Sequence, residues 1–447
     1  MGKILVVGSG LSGLSAVRLL IQVQKTPVLF DSNEKLDPEE IRKKLQIKKE
    51  VEIYTGNLPD DVAAQIEMLV LSPGVPIDCE FVNRFRHAGV KISGEIELAY
   101  TYDRGRLLAV TGTNGKTTTT ALLGAVMQDY FKQVFIVGNI GKPYTEAVLN
   151  STKGSVTVAE ISSFQLETIR YFHPCVSAIL NISPDHLNRH HTLQQYILEK
   201  EKIAVNQTKD DTVVLNYEDD VTRKFGNITT ARPLYFSSKR VLEDGFYLKD
   251  GMLCMKRDEK EQELLAVGDL QIIGMHNYEN AMAAIAMAFS FGVPMESIVA
   301  SVKRFKAVAH RIEFVAEKDG VVYYNDSKGT NVDAAIKGIR AMTRTTCLIG
   351  GGYDKGAAYD EWIEAFDGKV KKLVLLGATA KMIAESAQSH GFTDYVFAKD
   401  LEEAVMICKD TAESGEAVLL SPACASWGMF DNYEQRGDMF KELVRKL

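Results

Sequence analysis

The stretch Thr111–Thr118 reads TGTNGKTT and decides the fold of the middle of the chain. The apolar run Leu107–Val110 before it predicts a strand, and the residues after it have the apolar spacing of a helix. A glycine-rich loop at such a junction presents backbone N–H groups and the positive end of the helix dipole to an anion. Lys116 would neutralise the β- and γ-phosphates of a nucleotide, and the Thr117 hydroxyl would ligate Mg²⁺. The stretch therefore predicts an α/β domain that binds a nucleoside triphosphate.

One position departs from the strict GxxxxGK[ST] pattern, because Val110 occupies the first glycine position. A glycine turn that carries a surface lysine is the alternative interpretation. We favour phosphate binding because the Gly-Lys-Thr-Thr run and the strand-to-helix junction satisfy several requirements together. The predicted nucleotide contacts in this loop are Gly112, Thr113, Asn114, Gly115, Lys116, Thr117 and Thr118.

Strand and helix signals alternate on both sides of the loop and predict three successive doubly wound α/β units. Boundaries near residues 102 and 307 divide the chain into domains 1–102, 103–307 and 308–447. We expect a Rossmann-like first domain, a central P-loop ATPase-like domain with a parallel sheet, and a Rossmann-like third domain. Because open parallel sheets bind ligands beyond the carboxyl ends of their strands, function is expected in the loops at those ends.

Several elements inside these domains have specific signals. Asp250-Gly251 between two apolar runs predicts a tight hairpin. An alanine-rich helix over Asn277–Phe291 closes the central domain, with Phe305–His310 as a hinge. Other predicted strands are Ile4–Val7, Pro27–Phe30, Val156–Ala159, Ala178–Ile182, Val321–Asn325, Thr346–Ile349, Leu373–Leu376 and Ala417–Leu420.

The composition argues against several classes of function. Of 447 residues, 52 are Lys or Arg and 59 are Asp or Glu, so the net charge of −7 does not indicate a nucleic-acid-binding face. The six cysteines form no CxxC pair, which argues against a zinc ribbon or a disulfide framework. The N-terminal apolar run breaks at Gly8, too early for a signal peptide, and no other run approaches membrane-spanning length. We expect a cytoplasmic monomer without nucleic-acid partners or membrane insertion.

Two polar residues follow predicted strands of the central domain. Glu160 ends one of them, where a carboxylate could reach Mg²⁺ directly or through water. His186 follows the next in the sequence SPDH. A lone histidine is more often a structural residue, so the residues alone support metal binding and a structural role about equally.

Together these features resemble the Mur ligase family, which also includes folylpolyglutamate synthases, and the resemblance covers nearly the whole chain. It rests on Gly112–Thr118, on Glu160–Glu167 (EISSFQLE), on Asp185-His186 and on His276–Asn280 (HNYEN). It implies an enzyme that uses ATP to phosphorylate a carboxylate of a UDP-linked substrate, after which an amine attacks the acyl phosphate. The three domains would then bind the UDP substrate, ATP and an amino acid, in that order.

The resemblance also assigns roles to central-domain residues. Thr117 and Glu160 would hold one Mg²⁺, and His186 would ligate a second. Lys200 matches a lysine that the family carries as a carbamate, an anionic ligand near the second metal. On spacing alone Lys200 would be a solvated helix lysine, and Lys202 beside it is similar. The implied catalytic residues are Lys116, Glu160, His186 and Lys200.

Further nucleotide contacts are implied around the boundary with the third domain. Asn277 and Asn280 would lie on the adenine side, Arg311 would reach the transferring phosphate, and Asp326 would hold the ribose. The resemblance makes domain closure part of the mechanism. From the residues alone, Asp326 is better interpreted as a helix N-cap beside a turn lysine.

Within the family, the branch that adds D-glutamate to UDP-N-acetylmuramoyl-L-alanine is most similar. The similarity lies in Gly8–Gly13 (GSGLSG) near the start and Leu420–Trp427 (LSPACASW) near the end. Trp427 and Tyr433 differ from the leucine and phenylalanine of some relatives. The implied amino-acid contacts are Thr330, Lys355, Ser426, Trp427 and Tyr433.

The N-terminal GSGLSG loop also fits the dinucleotide fingerprint, with Asp31 as a possible ribose ligand. This supports an NAD-dependent oxidoreductase as the main alternative, and a non-catalytic nucleotide-binding scaffold is a third. An oxidoreductase has no use for the second, Gly-Lys-Thr loop, so we favour the ligase. The resemblance assigns the UDP substrate to Leu11, Ser12, Asp31, Ser32, Gly74, Asn139 and Ser162.

Overall fold

The computed structural model describes residues 2–447, which form two compact units. One unit is the chain up to Leu265 together with Asn280–Val302, and the other is Ala266–Glu279 together with Lys303–Leu447. The predicted boundary near residue 102 lies inside the first unit, and both boundaries stay predictions. The mixed α/β architecture with parallel sheets is as predicted, with three sheets in chain order.

The first sheet has five parallel strands in the order β3-β2-β1-β4-β5. The central strand, β1, is a continuous apolar run that is buried along most of its length, as expected where helices cover both faces of a parallel sheet. Its strands are β1 (Lys3–Val7), β2 (Pro27–Asp31), β3 (Glu52–Thr55), β4 (Ile66–Leu71) and β5 (Lys91–Gly94). Its helices are α1 (Leu11–Gln22), α2 (Pro38–Leu45), α3 (Asp60–Ala63), α4 (Glu80–His87) and α5 (Glu95–Tyr102).

The second sheet has nine strands in the order β14-β13-β12-β11-β10-β9-β6-β8-β7. Its strands are β6 (Arg106–Thr111), β7 (Val134–Gly138), β8 (Val156–Glu160), β9 (Val176–Ile179), β10 (Thr212–Asn216), β11 (Arg232–Ser237), β12 (Gly245–Lys249), β13 (Met252–Arg257) and β14 (Lys260–Ala266). The helices that follow β6 are α6 (Lys116–Tyr130), α7 (Tyr144–Ala147), α8 (Ser163–Leu166), α9 (Leu187–His190), α10 (Leu193–Glu201), α11 (Asp220–Phe225), α12 (Met275–Phe291) and α13 (Met295–Arg304).

Two details of this region test the sequence interpretation. The hairpin at Asp250-Gly251 is confirmed: β12 and β13 are antiparallel, and the two turn residues have φ of 49° and 76°. The strand predicted over Ala178–Ile182 is wrong at its end, because β9 stops at Ile179. The backbone of Asn181 instead accepts a hydrogen bond from Thr113 N in the phosphate loop.

One apolar core runs through the first and second sheets. It includes Leu14 of α1, Leu98 of α5 and Tyr144 of α7. A buried hydrogen bond of 2.8 Å from Thr145 Oγ1 to Ser15 Oγ joins the same helices. This shared core explains why the first two predicted domains form a single compact unit.

The third sheet has six strands in the order β15-β16-β20-β17-β18-β19, parallel except for the antiparallel edge strand β15. Its strands are β15 (Glu313–Lys318), β16 (Val321–Asn325), β17 (Thr346–Gly350), β18 (Val370–Leu375), β19 (Tyr395–Phe397) and β20 (Ala417–Leu420). Its helices are α14 (Val332–Ala341), α15 (Asp360–Glu364), α16 (Ala380–Ser389), α17 (Leu401–Thr411) and α18 (Tyr433–Lys446). Between residues 2 and 447, none of the helices has the length and apolar character needed to cross a membrane.

Candidate active site

The predicted phosphate loop connects β6 to α6 in a conformation that needs glycine. Gly112 and Gly115 have φ of 150° and 86°, a region in which other residues are strained. A Cβ atom at Gly115 would also clash with the Asn280 side-chain oxygen. Gly115 is the N-cap of α6, and no side chain among residues 2–447 caps this helix. The N-terminus of α6 therefore has the backbone geometry of an anion site.

Asn181, to which sequence reasoning assigned no role, holds this loop in place. Its side-chain oxygen accepts from Asn114 N at 2.9 Å, and its Nδ2 donates to Asn114 O at 3.1 Å. Its backbone oxygen accepts from Thr113 N at 2.9 Å. Its place after β9, at the same end of the sheet as the loop, is the sequence signal that could have identified it.

Two lysines converge on the phosphate loop. Lys116 Nζ donates to Gly112 O at 2.9 Å and to Thr113 O at 3.0 Å, and Lys200 Nζ donates to Gly112 O at 2.8 Å. Lys200 is 1% exposed. Burial, followed by the positive charge of Lys116, lowers its pKa well below the usual range, although nearby Asp185 and Glu160 oppose the shift. The structure thus places the amino groups of two predicted catalytic lysines at one carbonyl group.

Lys202 has a different environment from Lys200, although the sequence did not distinguish them. Its ammonium group forms an ion pair of 2.5 Å with Glu199, and its side chain is 36% exposed. Lys200 lies on the face of α10 that packs against the phosphate loop, and its ammonium is 4.7 Å from the centre of the Tyr196 ring. Tertiary packing therefore separates the two residues.

Glu160 ends β8 as predicted and is 1% exposed. Its Oε1 accepts from Asn139 Nδ2 at 2.9 Å, whereas its buried Oε2 has no hydrogen-bond partner among residues 2–447. A buried carboxylate oxygen without a donor fits a hard cation such as Mg²⁺. Asn139, predicted as a substrate contact, lies on Glu160 and not among the residues that line the N-terminal cleft described below.

His186 has a left-handed backbone, with φ of 53°, and forms the N-cap of α9. Its ring centre is 4.9 Å from that of Phe164, and its Nε2 is 3.5 Å from Asp185 Oδ2. Half of its side chain is exposed, so a ring nitrogen is accessible to a ligand. No cluster of three or more His, Cys, Asp or Glu suited to a metal occurs within residues 2–447. Of the four predicted metal ligands, only Glu160 and His186 are His, Cys, Asp or Glu residues. The other two are Thr117 and Lys200.

A cleft of about 850 Å³ lies at the carboxyl end of the first sheet. Five of the seven predicted UDP-substrate contacts line it, whereas Asn139 and Ser162 do not. Ser162 is the N-cap of α8 and forms a capping box with Gln165. The five predicted contacts that line the cleft are Leu11, Ser12, Asp31, Ser32 and Gly74.

The glycine loop of this cleft is fixed by Asp31. Asp31 Oδ2 accepts from Ser9 N at 2.8 Å and from Ser9 Oγ at 2.6 Å, and its Oδ1 accepts from Asn33 N at 3.0 Å. Burial raises the pKa of Asp31, but these hydrogen bonds outweigh burial and leave the pKa below its usual value. The carboxylate is therefore charged at neutral pH and is already engaged by the chain's own donors.

In the second unit, Asp326 follows β16 and is deeply buried. Its Oδ2 accepts from Ser421 Oγ at 2.7 Å, and its Oδ1 accepts from Ile312 N at 3.3 Å. Burial raises the pKa of Asp326 to about 7, although Ser421 and the nearby Arg311 charge oppose this. The helix N-cap interpretation of Asp326 is not what the structure shows, because Asn331 caps α14.

The predicted amino-acid contacts lie in the same unit, near the ends of its strands. Lys355 Nζ is 4.8 Å from the centre of the Trp427 ring, and Tyr353 makes an edge contact with that ring at 5.6 Å. Tyr433 begins α18, and burial raises its pKa to about 12. Ser426 is buried and Thr330 N donates to Lys328 O.

The two predicted adenine-side asparagines have distinct partners. Asn277 Nδ2 donates to Ile273 O at 2.7 Å. Asn280 Oδ1 accepts from Thr119 Oγ1 of α6 at 3.3 Å. Both side chains are buried, and Asn280 packs directly against the phosphate loop. The helix that carries them, predicted over Asn277–Phe291, is confirmed as α12.

Three family models match successive parts of the chain. Residues 2–94 match the model described as "Mur ligase MurD-like, N-terminal domain". Residues 110–288 match the "Mur ligase middle domain", and residues 310–424 match the "Mur ligase, glutamate ligase domain".

Curated relatives match over the full length. UDP-N-acetylmuramoylalanine--D-glutamate ligase of Lachnoclostridium phytofermentans is 53% identical over 100% of this chain and 98% of its own. The ligase of the same name from Lachnospira eligens is 53% identical over 99% and 98%, and that of Clostridioides difficile is 42% identical over 100% and 98%.

Solved structures with low identity share the fold. UDP-N-acetylmuramate-alanine ligase MurC of Thermotoga maritima is 21% identical, covers all of both chains and gives a TM-score of 0.61. A type C pseudomurein peptide ligase of Methanothermus fervidus is 17% identical, also over all of both chains, with a TM-score of 0.58. From these matches, the chain belongs to the Mur ligase family, whose members use ATP, generally with Mg²⁺, for ligation in peptidoglycan precursor synthesis.

Proposed function

We propose that the chain joins D-glutamate to UDP-N-acetylmuramoyl-L-alanine and converts ATP to ADP and phosphate. The structural observation that carries the ATP-dependent step is the convergence of Lys116 and Lys200 on Gly112 O at the N-terminus of α6. Amino-acid and substrate identity rest on the full-length relatives, which are named UDP-N-acetylmuramoylalanine--D-glutamate ligase.

The first chemical step transfers the γ-phosphoryl group of ATP to the substrate carboxylate. A carboxylate oxygen attacks phosphorus, the bond to the β,γ-bridging oxygen breaks, and ADP leaves. The loop N–H groups and Lys116 would hold the phosphates in line and stabilise the charge that is spread over the transferring group. Thr117 and Glu160 would hold one Mg²⁺ and His186 a second, and these ions when bound would neutralise phosphate charge.

The second step forms the amide. The amine of D-glutamate attacks the acyl carbon, phosphate leaves, and the nitrogen loses a proton. We assign the recognition of D-glutamate to Thr330, Lys355, Ser426, Trp427 and Tyr433. Lys355 supplies a positive charge for one carboxylate, and a charge-assisted hydrogen bond of about 1.5–3 kcal/mol is enough to select a dicarboxylate. Arg311, Asp326, Asn277 and Asn280 stay proposed nucleotide contacts.

Lys200 is proposed to act as a carbamate. Its amine would attack the carbon of CO₂, a C–N bond would form, one C=O electron pair would move to oxygen, and the nitrogen would release a proton. Only the neutral amine can react, and the burial that lowers the pKa of Lys200 increases the neutral fraction. The product would offer oxygen ligands to Mg²⁺ where an ammonium would repel it.

We also assign the UDP substrate to the N-terminal cleft.

The test is phosphate release with UDP-N-acetylmuramoyl-L-alanine, ATP and a panel of D- and L-amino acids. We expect release with D-glutamate and at least about tenfold less with L-glutamate, because the mirror image loses a charge-assisted contact when its amine is aimed correctly. Similar rates with both enantiomers would point to another branch of the family. Tight nicotinamide binding would favour the oxidoreductase, and no release with any amino acid would favour the non-catalytic scaffold.

A further inference from the structure

Arg189 connects the N-terminal cleft to the helix that begins beside His186. Arg189 Nε and Nη2 contact the two oxygens of Glu167 at 3.0 and 2.5 Å, and Nη2 also donates to Val75 O at 2.8 Å. The Arg189 side chain is 11% exposed and that of Glu167 is 4% exposed. One guanidinium group thus holds two segments that are far apart in the sequence.

The Val75 end of this connection belongs to the cleft. Val75 N donates to Ser72 O at 3.0 Å and closes the turn Ser72–Val75. Gly74 and Val75 both line the cleft proposed for the UDP substrate. A shift of the Val75 carbonyl group would therefore move a wall of the substrate site.

The other end fixes His186. Helix α9 has only four residues, too few to be stable alone, so tertiary contacts determine its position. The Arg189 guanidinium lies 5.1 Å from the centre of the Phe164 ring, which in turn contacts His186. Arg189 N donates to His186 O at 2.9 Å, so any displacement of Arg189 is passed directly to the backbone of His186.

We propose that Arg189 is a positioning residue that couples occupancy of the UDP-substrate cleft to the placement of His186. This inference rests on the proposed function, since it concerns the same reaction. Substrate that presses on the Ser72–Val75 turn would pull on Arg189, and Arg189 would order α9. Binding of the UDP substrate would thereby position His186 at the site of phosphoryl transfer.

Arg189→Lys is the main test variant, because it keeps a charge for Glu167 but cannot make the bidentate contact and the Val75 bond together. We expect the KM for UDP-N-acetylmuramoyl-L-alanine to rise about tenfold to a hundredfold and kcat to fall, with the KM for ATP within about twofold of the wild-type value. Arg189→Gln should behave similarly, and Arg84→Ala, which removes an exposed arginine, should have no effect.

A second measurement needs neither ATP nor metal. Hydrogen exchange of the segment 184–191 should slow when the UDP substrate binds the wild-type enzyme, and this protection should be lost in Arg189→Lys. The coupling would be overturned if the UDP substrate protected segment 184–191 equally in Arg189→Lys and in the wild type, or protected it in neither. Equal increases in every KM of Arg189→Lys, together with a lower melting temperature, would also overturn it. Failure of the proposed function and failure of the coupling are distinguishable in the wild-type enzyme. The proposed function fails if no phosphate is released with D-glutamate. The coupling fails if binding of the UDP substrate does not slow hydrogen exchange in segment 184–191.

Discussion

The chain contains two glycine-rich loops, Gly8–Gly13 and Gly112–Gly115, that each join a strand to a helix but have different charged neighbours. Each follows an inner strand of its sheet and starts a helix that has no side-chain cap among residues 2–447. Lys116 and Lys200 donate hydrogen bonds to the backbone of the second loop, whereas the carboxylate of Asp31 accepts a hydrogen bond from the backbone of the first. A helix N-terminus alone therefore does not determine the ligand.

The space around the two loops also differs. The first loop opens into the wide cleft of about 850 Å³. The backbone of the second loop is hydrogen-bonded to the Asn181 side chain, and the Asn280 side chain packs against Gly115. This difference agrees with the proposal that the second loop binds the phosphates of ATP and the first the UDP substrate.

The strongest test of the comparison is Lys116→Ala. We expect turnover to fall by at least about a thousandfold, because a fixed cation at the transferring phosphate is lost, while the melting temperature stays unchanged. Lys202→Ala is the matched control, since Lys202 is partly exposed and pairs with Glu199 instead of contacting the phosphate loop. Near-native turnover of Lys116→Ala at saturating ATP would show that this loop does not bind phosphate as proposed.

Lys200→Ala tests whether the second lysine near this loop is a carbamate in the active enzyme. We expect turnover to fall by about a hundredfold or more, since the proposed carbamate ligand of Mg²⁺ would be lost. Formate or acetate should restore part of the activity by supplying carboxylate oxygens in the vacated space. The deciding measurement is ¹³C NMR of active enzyme under ¹³C-labelled bicarbonate: an unmodified Lys200 there would exclude the carbamate.

Asp31→Asn tests the charge of the first loop. An amide has one acceptor oxygen, so the variant side chain could not accept from Ser9 and from Asn33 N together as the carboxylate does. The loop should therefore loosen, and the KM for the UDP substrate should rise about tenfold. The KM for ATP should not change, because Asp31 lies in a different sheet. Steady-state kinetics with each substrate varied in turn provides the measurement. If both KM values rose together, the two loops would not be separate sites.

Glu95→Gln gives the smallest expected effect and concerns stability alone. Glu95 is buried on α5, near the Ser72–Val75 turn, and accepts from Gln165 Nε2 at 2.9 Å. Burial raises its pKa from 4.5 to about 7, so the folded protein keeps a proton that the unfolded chain has released between these values. Unfolding free energy therefore falls as pH rises from about 4.5 to about 7 and levels off above that range.

The measurement is the melting temperature across this pH range. In Glu95→Gln, the decrease in unfolding free energy with rising pH should be smaller but still present, because the raised pKa of Asp326 contributes in the same direction. Asp326→Asn is the matched variant in the other unit. An unchanged pH dependence in Glu95→Gln would mean that Glu95 is ionised in the folded protein.

The sequence by itself determined the features that depend on local chemistry. The order Gly112-Thr113-Asn114-Gly115-Lys116 requires a strand-loop-helix junction, and Asp250-Gly251 requires positive φ at two successive positions. The apolar runs predicted parallel strands because both faces of such sheets are buried. Residues 111–118 and the hairpin could therefore be interpreted without any partner segment.

Tertiary structure alone decided which polar residues meet. Lys200 and Lys202 are equivalent in sequence, but α10 buries Lys200 against Gly112, which is 88 positions earlier, and leaves Lys202 to pair with Glu199. Arg189 reaches Val75 across 114 positions for the same reason. No local spacing encodes such contacts, because they result from packing whole sheets and helices together, and only the folded chain brings those side chains within a few ångströms.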